Sequence, residues 1–367
     1  MEGPAHIVGS LLGLAFVAGA VVGSFLNVVI YRLPRGESVV FPGSHCPACR
    51  EGIRAWDKVP ILSYLWLRGR CRGCRERIPL RYPLVEGATA ILFSALLWRG
   101  GPTGDLWWEL GFGASLLALL VIDARAHLLP NAITYPLLLF SMLAAGWRGG
   151  WGDPIHLGVE LTLLFPTGDP QVAPSGVSAG LAGLLLALAV PGLLVLDRVD
   201  LLLFGKYFEW EEEASLSEES AEESGETGGN GFWLGGVIGV GLLAGILWTG
   251  GVLLWGGADP LAWHGAQRGL MAALGGALVA SVPLWWIRAL YFYLRGTEGM
   301  GLGDIKLMAS LGAFLGWQGA WGVLLLGSLA GTIYGLFLAR HREQGLRTPL
   351  PFGSFLCAGA LLVLFLS

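Results

Sequence analysis

The sequence predicts an all-α polytopic membrane protein with about ten transmembrane helices and one small cytoplasmic domain that carries four cysteines. Composition is the first reason: of 367 residues, 54% are hydrophobic and only 14% charged, with mean hydropathy +0.63. A soluble domain carries about 25% charged residues. Distribution is the second reason, because apolar runs long enough to cross a bilayer recur along nearly the whole chain. The third is charge segregation: one basic stretch follows the first apolar run, and the formal net charge of -4 hides it.

A spanning helix needs about 20 apolar residues. The candidate spans are 7–30, 84–98, 106–122, 131–147, 178–196, 232–255, 267–290, 305–318, 321–339 and 351–366. The first reads as a retained helix rather than a cleaved signal, since Met1 to His6 contains no Lys or Arg. Basic residues concentrate in cytoplasmic loops. Segment 32–82 holds eleven Lys and Arg against four acidic residues, a net +7, so it belongs in the cytoplasm and the N-terminus outside. Alternate crossings then place the residues before Asp123 and those before Asp304 on that same face. Arg340, His341, Arg342 and Arg347 also fall inside.

The basic loop carries Cys46-Pro47-Ala48-Cys49 and Cys71-Arg72-Gly73-Cys74. Two Cys-x-x-Cys knuckles at this separation resemble a four-thiolate zinc site. A loop of this size is too small to bury a good core, and a structural Zn2+ supplies the missing stability. Two disulfides, or cysteines that merely pack, are the alternative; a cytoplasmic location disfavours disulfides. Nucleic-acid binding is not expected, because the one basic region lies between spans and carries a metal-type pattern. Cys357 sits alone in the last apolar run and reads as packing.

Asp123 ends the run Leu119-Leu120-Val121-Ile122, and Pro130 suits the first turn of the next helix. Asp304 follows Gly299, Gly301 and Gly303, which permit a tight backbone and close approach by an extended peptide. Two carboxylates held close cannot easily both ionise. One can then deprotonate a water while the protonated partner donates to a substrate carbonyl, which is peptide hydrolysis without a metal. On spacing alone, helix capping by Asp304 and pairing of Asp123 with Arg125 stand beside this reading.

Around these residues the chain resembles the type IV prepilin peptidase (leader peptidase/N-methyltransferase) family of GxGD-type aspartic membrane peptidases. The matching segments are Gly23 to Pro34, both cysteine knuckles, Arg81 to Glu86, Asp123 to Pro130, Glu298 to Leu307 and Pro351-Phe352-Gly353, in the family's order. The resemblance implies catalysis by Asp123 and Asp304, with the GxGD motif at Gly301, Leu302, Gly303 and Asp304. It implies a multi-pass protein of the bacterial inner membrane whose active site faces the cytoplasm. There it would cleave the basic leader of prepilins or pseudopilins and methylate the new N-terminus with S-adenosylmethionine. Methylation rests on the resemblance alone, since no Rossmann glycine fingerprint is present. A peptidase without methyltransferase activity is the nearest alternative. A zinc-loop scaffold or transporter is the alternative of another class, although transport predicts polar groups near the midplane and the polar motifs here cluster at span ends.

Beside Gly301 and Gly303, three other residues are substrate-site candidates, each with a plain alternative, and Glu298 reads only as a cap. Glu86 could meet the basic leader or a free amine, or pair with Arg81. Asn27 could be a site group or an interhelical hydrogen bond, and the second is preferred. Lys306 could act on a carboxylate or merely snorkel. Glu298 could cap the glycine loop. The expected organisation is a first helix over 1–32, a zinc-binding domain over 33–82, a membrane part over 83–147 with the first aspartate, an insert over 148–266, and a second membrane part over 267–367. The insert does not match the family pattern. It adds two spans to eight family-like ones and contains an acidic linker, 207–230, with nine glutamates. That linker reads as solvated chain, and attraction of basic leaders is the sharper alternative.

Overall fold

The computed structural model describes residues 4–46, 48–151, 260–296, 299–341 and 350–366. The expected spans 178–196 and 232–255, the linker 207–230 and Glu298 lie outside the described residues. Among the described residues the fold is all-helical, with only two isolated β-bridges. The helices are α1 (Pro4–Arg32), α2 (Leu62–Trp66), α3 (Arg81–Gly100), α4 (Leu106–Ala126), α5 (Asn131–Trp151), α6 (Pro260–Arg295), α7 (Leu302–His341) and α8 (Phe352–Leu366). Segments Val8–Arg35, Leu106–Ala126, Gly265–Arg295 and Leu302–Leu338 are long and apolar enough to cross a membrane, and Phe352–Leu366 is a shorter apolar helix.

At 1.5 Å per residue, a straight helix as long as α7 would run about 60 Å, roughly twice the hydrocarbon thickness. The chain avoids this by turning at Gly316, where φ is 76° and ψ is 166°. Contacts show a reversal. Before the turn, Gly303 faces Leu129 and Gly312 faces Gly276; after it, Gly319 faces Val363, Val323 faces Gly359, Gly327 faces Leu356 and Gly335 faces Leu350. The second limb therefore runs back antiparallel to α8. A positive φ of this kind is open to glycine and costly for other residues, which explains two apolar runs, 305–318 and 321–339, inside one stretch without a polar break.

The pairwise contacts also set direction. Asn27 meets Tyr82 at one end of α1 and α3, and Leu12 meets Ser94 at the other. Gly149 abuts Gly265, while Arg288 of α6 reaches Met300 just before α7. Consequently α1, α4 and α6 finish, and α3, α5, α7 and α8 begin, at one end of the bundle. Asp123, Asp304 and the cysteine loop share that end. Trp151 and Pro260, which bound the undescribed segment, share the opposite end.

The core is aliphatic and small-residue packing. Phe112 of α4 stacks on Phe314 of α7 at 3.8 Å between ring centroids, among fully buried Leu116, Leu119, Leu311 and Leu356. At the opposite end Arg99 makes a two-pronged bond to Glu109, at 2.7 and 2.8 Å, and buried Arg148 lies over the Phe314 ring. Gly276 and Gly312 bring α6 and α7 into backbone contact, so a Cβ at either collides with the other's carbonyl oxygen. Gly312→Ala should therefore destabilise the protein by about 1–3 kcal/mol, read as a lower thermal midpoint in detergent. An unchanged midpoint would mean that the two helices do not pack this closely.

Candidate active site and metal site

Helix α4 stops one turn after Asp123. His127 adopts the left-handed conformation at φ 51° and its N–H closes on the Asp123 carbonyl at 2.9 Å. Pro130, which the preceding residue must meet in extended form, then starts α5. Asp123 itself is buried. Its Oδ2 accepts the backbone N–H of Ser354 at 2.5 Å, a donor that also points at the Pro351 carbonyl at 3.1 Å. The Ser354 hydroxyl lies 2.8 Å from the same carboxylate oxygen and 3.1 Å from the Leu120 carbonyl. Its single proton favours the nearer acceptor, which is also the one that can carry charge. Ser354 sits in the first turn of α8, where backbone N–H groups lack intrahelical partners. Asp123 thus caps a helix that lies more than 200 residues away in sequence. Gly353 makes the approach possible, because a Cβ there would stand 3.1 Å from the Asp123 carboxyl carbon and 2.9 Å from Leu129.

Asp304 occupies the first turn of α7 and is half-buried. Leu129 brings it near Asp123, since Gly303, next to Asp304, and Gly353, which abuts Asp123, both press on that leucine. Leu129 wedges between the loops that carry them: a Cβ at Gly303 would fall 2.8 Å from its Cβ, and Gly353 presses on its other side. Gly301 leaves open space beside Asp304, 3.7 Å from Oδ2. Buried Arg288 donates from Nε to the Met300 carbonyl at 3.0 Å and holds the glycine loop from α6.

The structure thus brings together Asp123, Asp304, Gly301 and Gly303. The other candidates make the following contacts. Lys306 is buried rather than snorkelling, and its Nζ donates to Asn131 at the start of α5 at 2.9 Å. Asn27 donates to the Tyr82 carbonyl at 3.1 Å, an interhelical bond between α1 and α3. Glu86 accepts the Ile61 N–H at 2.7 Å, while Arg81 lies beside Tyr82 and over the Tyr31 ring. Among the described residues Arg125 is in no ion pair with Asp123. Ser354, Leu129 and Arg288 were not singled out from sequence. Only Ser354 carried a local signal, a small polar residue following Pro351-Phe352-Gly353 at a helix start.

In the cysteine domain each knuckle is closed by the same hydrogen bonds. Arg50 N–H returns to the Cys46 carbonyl at 2.9 Å and Arg75 N–H to the Cys71 carbonyl at 3.1 Å, with both arginines at φ 58°. The antiparallel bridges His45–Gly52 and Arg70–Arg77 flank them. All four sulfurs lie within 4.8 Å of one another, and no disulfide joins them. Cys46 and Cys74 Sγ stand 3.8 Å apart. Zn–S bonds of about 2.3 Å in a tetrahedron place sulfurs about 3.8 Å apart, so the cluster fits a metal ion. The Cys49 backbone N–H leads the effects that lower the Cys46 thiol to about 7, within reach of the thiolate a metal requires. Ile61 has φ 60°, strained for a β-branched residue, and Glu86 pins it.

The Bacterial Peptidase A24 N-terminal domain model matches residues 17–100, which carry the second half of α1, the cysteine domain and α3. The Type IV leader peptidase family model matches residues 227–336, which carry Asp304 and begin inside the 148–266 segment. A Prepilin leader peptidase/N-methyltransferase of Burkholderia pseudomallei (strain 1026b) is 30% identical over 97% of this chain and 86% of its own. Proteins of the same name from Pseudomonas putida and Pseudomonas aeruginosa are 29% and 28% identical, each over 96% of this chain and 90% of their own. No solved structure matches. Identity that extends through both matched domains, on a bundle of membrane-length helices with a four-cysteine cluster, establishes that this chain is a membrane peptidase and belongs to the prepilin leader peptidase/N-methyltransferase family.

Proposed function

We propose that Asp123 and Asp304 are the catalytic pair of a prepilin peptidase. The observation that carries this is their juxtaposition: two residues from distant parts of the chain lie at one end of the bundle, on loops that meet through Leu129, beside an exposed glycine loop. Asp123 is the base. Its Oδ2 already accepts from Ser354, and the N-terminus of α8 favours negative charge. Asp304, half-exposed beside Gly301, faces incoming substrate and holds the shared proton. Asp123 takes a proton from water as the oxygen attacks the scissile carbonyl, and Asp304 donates to the carbonyl oxygen. Collapse of the tetrahedral intermediate then breaks the C–N bond, with the proton passed to the leaving amine.

The substrate is the basic leader of a prepilin or pseudopilin. By the positive-inside rule, the +7 loop places the catalytic end in the cytoplasm, in a bacterial inner membrane crossed by about ten spans. The cysteine cluster holds structural zinc. N-methylation with S-adenosylmethionine is proposed from the names of the relatives. The testing experiment incubates the purified protein with a prepilin-like substrate and S-adenosylmethionine, then weighs the product. A cleaved product heavier by one methylene supports both activities. Cleavage without it removes methylation, and no cleavage overturns the peptidase assignment.

Ser354 positions the base. Ser354→Ala should lower kcat by about ten- to a hundredfold, the worth of one charge-assisted hydrogen bond, with KM nearly unchanged and partial rescue by Thr. A wild-type kcat would show that the hydroxyl does not serve Asp123.

A further inference from the structure

The cysteine domain exposes an apolar face that its peptidase role leaves unexplained. Helix α2 presents Leu62, Leu65 and Trp66 at i, i+3 and i+4, so they share one side, and all are exposed. The 3-10 turn Ala55–Lys58 packs against α2 and adds Trp56. Trp56 and Trp66 are 83% and 84% exposed. Apolar side chains in this concentration on a water-facing surface mark an interaction site.

Position and charge identify the partner. Ile61, immediately before α2, is hydrogen-bonded to Glu86, which lies in the second turn of α3. This tether draws α2 back to the head of the α1–α3 pair, where the apolar segment Val8–Arg35 ends. There Leu80, at the N-cap of α3, and Leu84 and Ile91 within it are exposed as well. Arg54, Lys58, Arg68 and Arg70 are exposed around α2. Of the acids near this surface, Asp57 is already held by Arg72 at 2.7 and 2.9 Å and Glu86 by the Ile61 N–H, so the four arginine and lysine charges dominate it. Tryptophan prefers the bilayer interface, and lysine and arginine bind anionic headgroups.

We infer that the Ala55–Lys58 turn and α2 form an interfacial anchor seated in the anionic lipid of the bilayer that the chain spans, with Trp56, Leu62, Leu65 and Trp66 at the acyl boundary and the four cations on lipid phosphates. The anchor rests on the membrane reading and not on the catalytic assignment. It holds the cysteine knuckles against the membrane, beside the end of the bundle that carries the aspartates.

The test is hydrogen–deuterium exchange on the full chain in nanodiscs of phosphatidylcholine alone or mixed with phosphatidylglycerol. Amides of 59–67 are expected to exchange more slowly with phosphatidylglycerol. Each cation removed, as in Lys58→Gln or Arg68→Gln, should weaken the effect by about fivefold. Trp56→Ser with Trp66→Ser should abolish it, while α4 amides, which report folding, stay protected. Equal exchange in the two lipids overturns the anchor. So does protection that vanishes on deleting 209–226, which would assign the face to the chain's own acidic tract. Asp304→Asn should keep the lipid effect, so loss of cleavage and loss of the anchor are separate outcomes.

Discussion

Replacing either aspartate by asparagine should reduce cleavage of a prepilin-like substrate by at least about a thousandfold, the scale of lost general acid–base catalysis. The protein should still insert and elute as a folded species. Asp304→Asn removes the proton donor while leaving a side chain of the same shape beside open Gly301. Asp123→Asn removes the base and weakens the cap on α8, since a neutral amide oxygen accepts from Ser354 less strongly than a carboxylate. It should therefore also lower thermal stability slightly, a second difference between the two variants. The measurement is the initial rate at saturating substrate, with the melting midpoint alongside. Retained cleavage in either variant would remove that residue from the mechanism.

The second large effect concerns the cysteines. Among the described residues of 33–80, only Cys46 and Gly69 are buried, so the domain has almost no apolar core of its own. With structural zinc, as proposed, the cluster would order it, because such a site supplies about 10–16 kcal/mol of binding free energy. Cys71→Ser, or a strong chelator, should drop bound zinc from one per chain to none. The 33–80 segment should then become sensitive to protease while the helical bundle remains resistant. Zinc content by elemental analysis and the cleavage pattern by mass spectrometry read both. A metal-free wild-type protein whose loop resists protease would show that the cluster orders the domain without an ion. The Ile61–Glu86 bond and the bonds from Arg32 of α1 to the Ser38 and Gly43 carbonyls tie the domain to the bundle, so loosening of these should accompany loss of the metal.

Much of the fold was legible because it depends on local pattern. Among the described residues, apolar run length located α1, α4, α6 and α7, the helices long and apolar enough to cross a membrane. It even separated 305–318 from 321–339, although Gly316 joins these in one continuous helical stretch with a reversal. Charge also spoke early: the +7 loop and alternate crossings predicted that Asp123 and Asp304 share a face, and the structure places both at one end. The cysteine spacing foretold a cluster, because two short knuckles can converge on one point with little help from the rest of the chain.

Partner choice was not legible. For Glu86 the sequence offered a leader or amine contact or pairing with Arg81; the bond it accepts from Ile61 was not among them. Lys306 stood between acting on a carboxylate and snorkelling, yet it is buried on Asn131. Each outcome turns on how a helix is rotated about its axis, and an almost uniformly apolar helix carries little polar pattern to fix that rotation. Glycine contacts such as Gly276 on Gly312 set it instead.

By itself, then, the sequence determined the helices, the cysteine cluster and the common end of the two aspartates, because run length, spacing and charge act within short stretches. Only the tertiary structure decided that Ser354 holds Asp123, that Leu129 separates the two acidic loops, and that α2 is tied to the head of α3. Those contacts join parts of the chain with no local relation, and close packing of helices selects them.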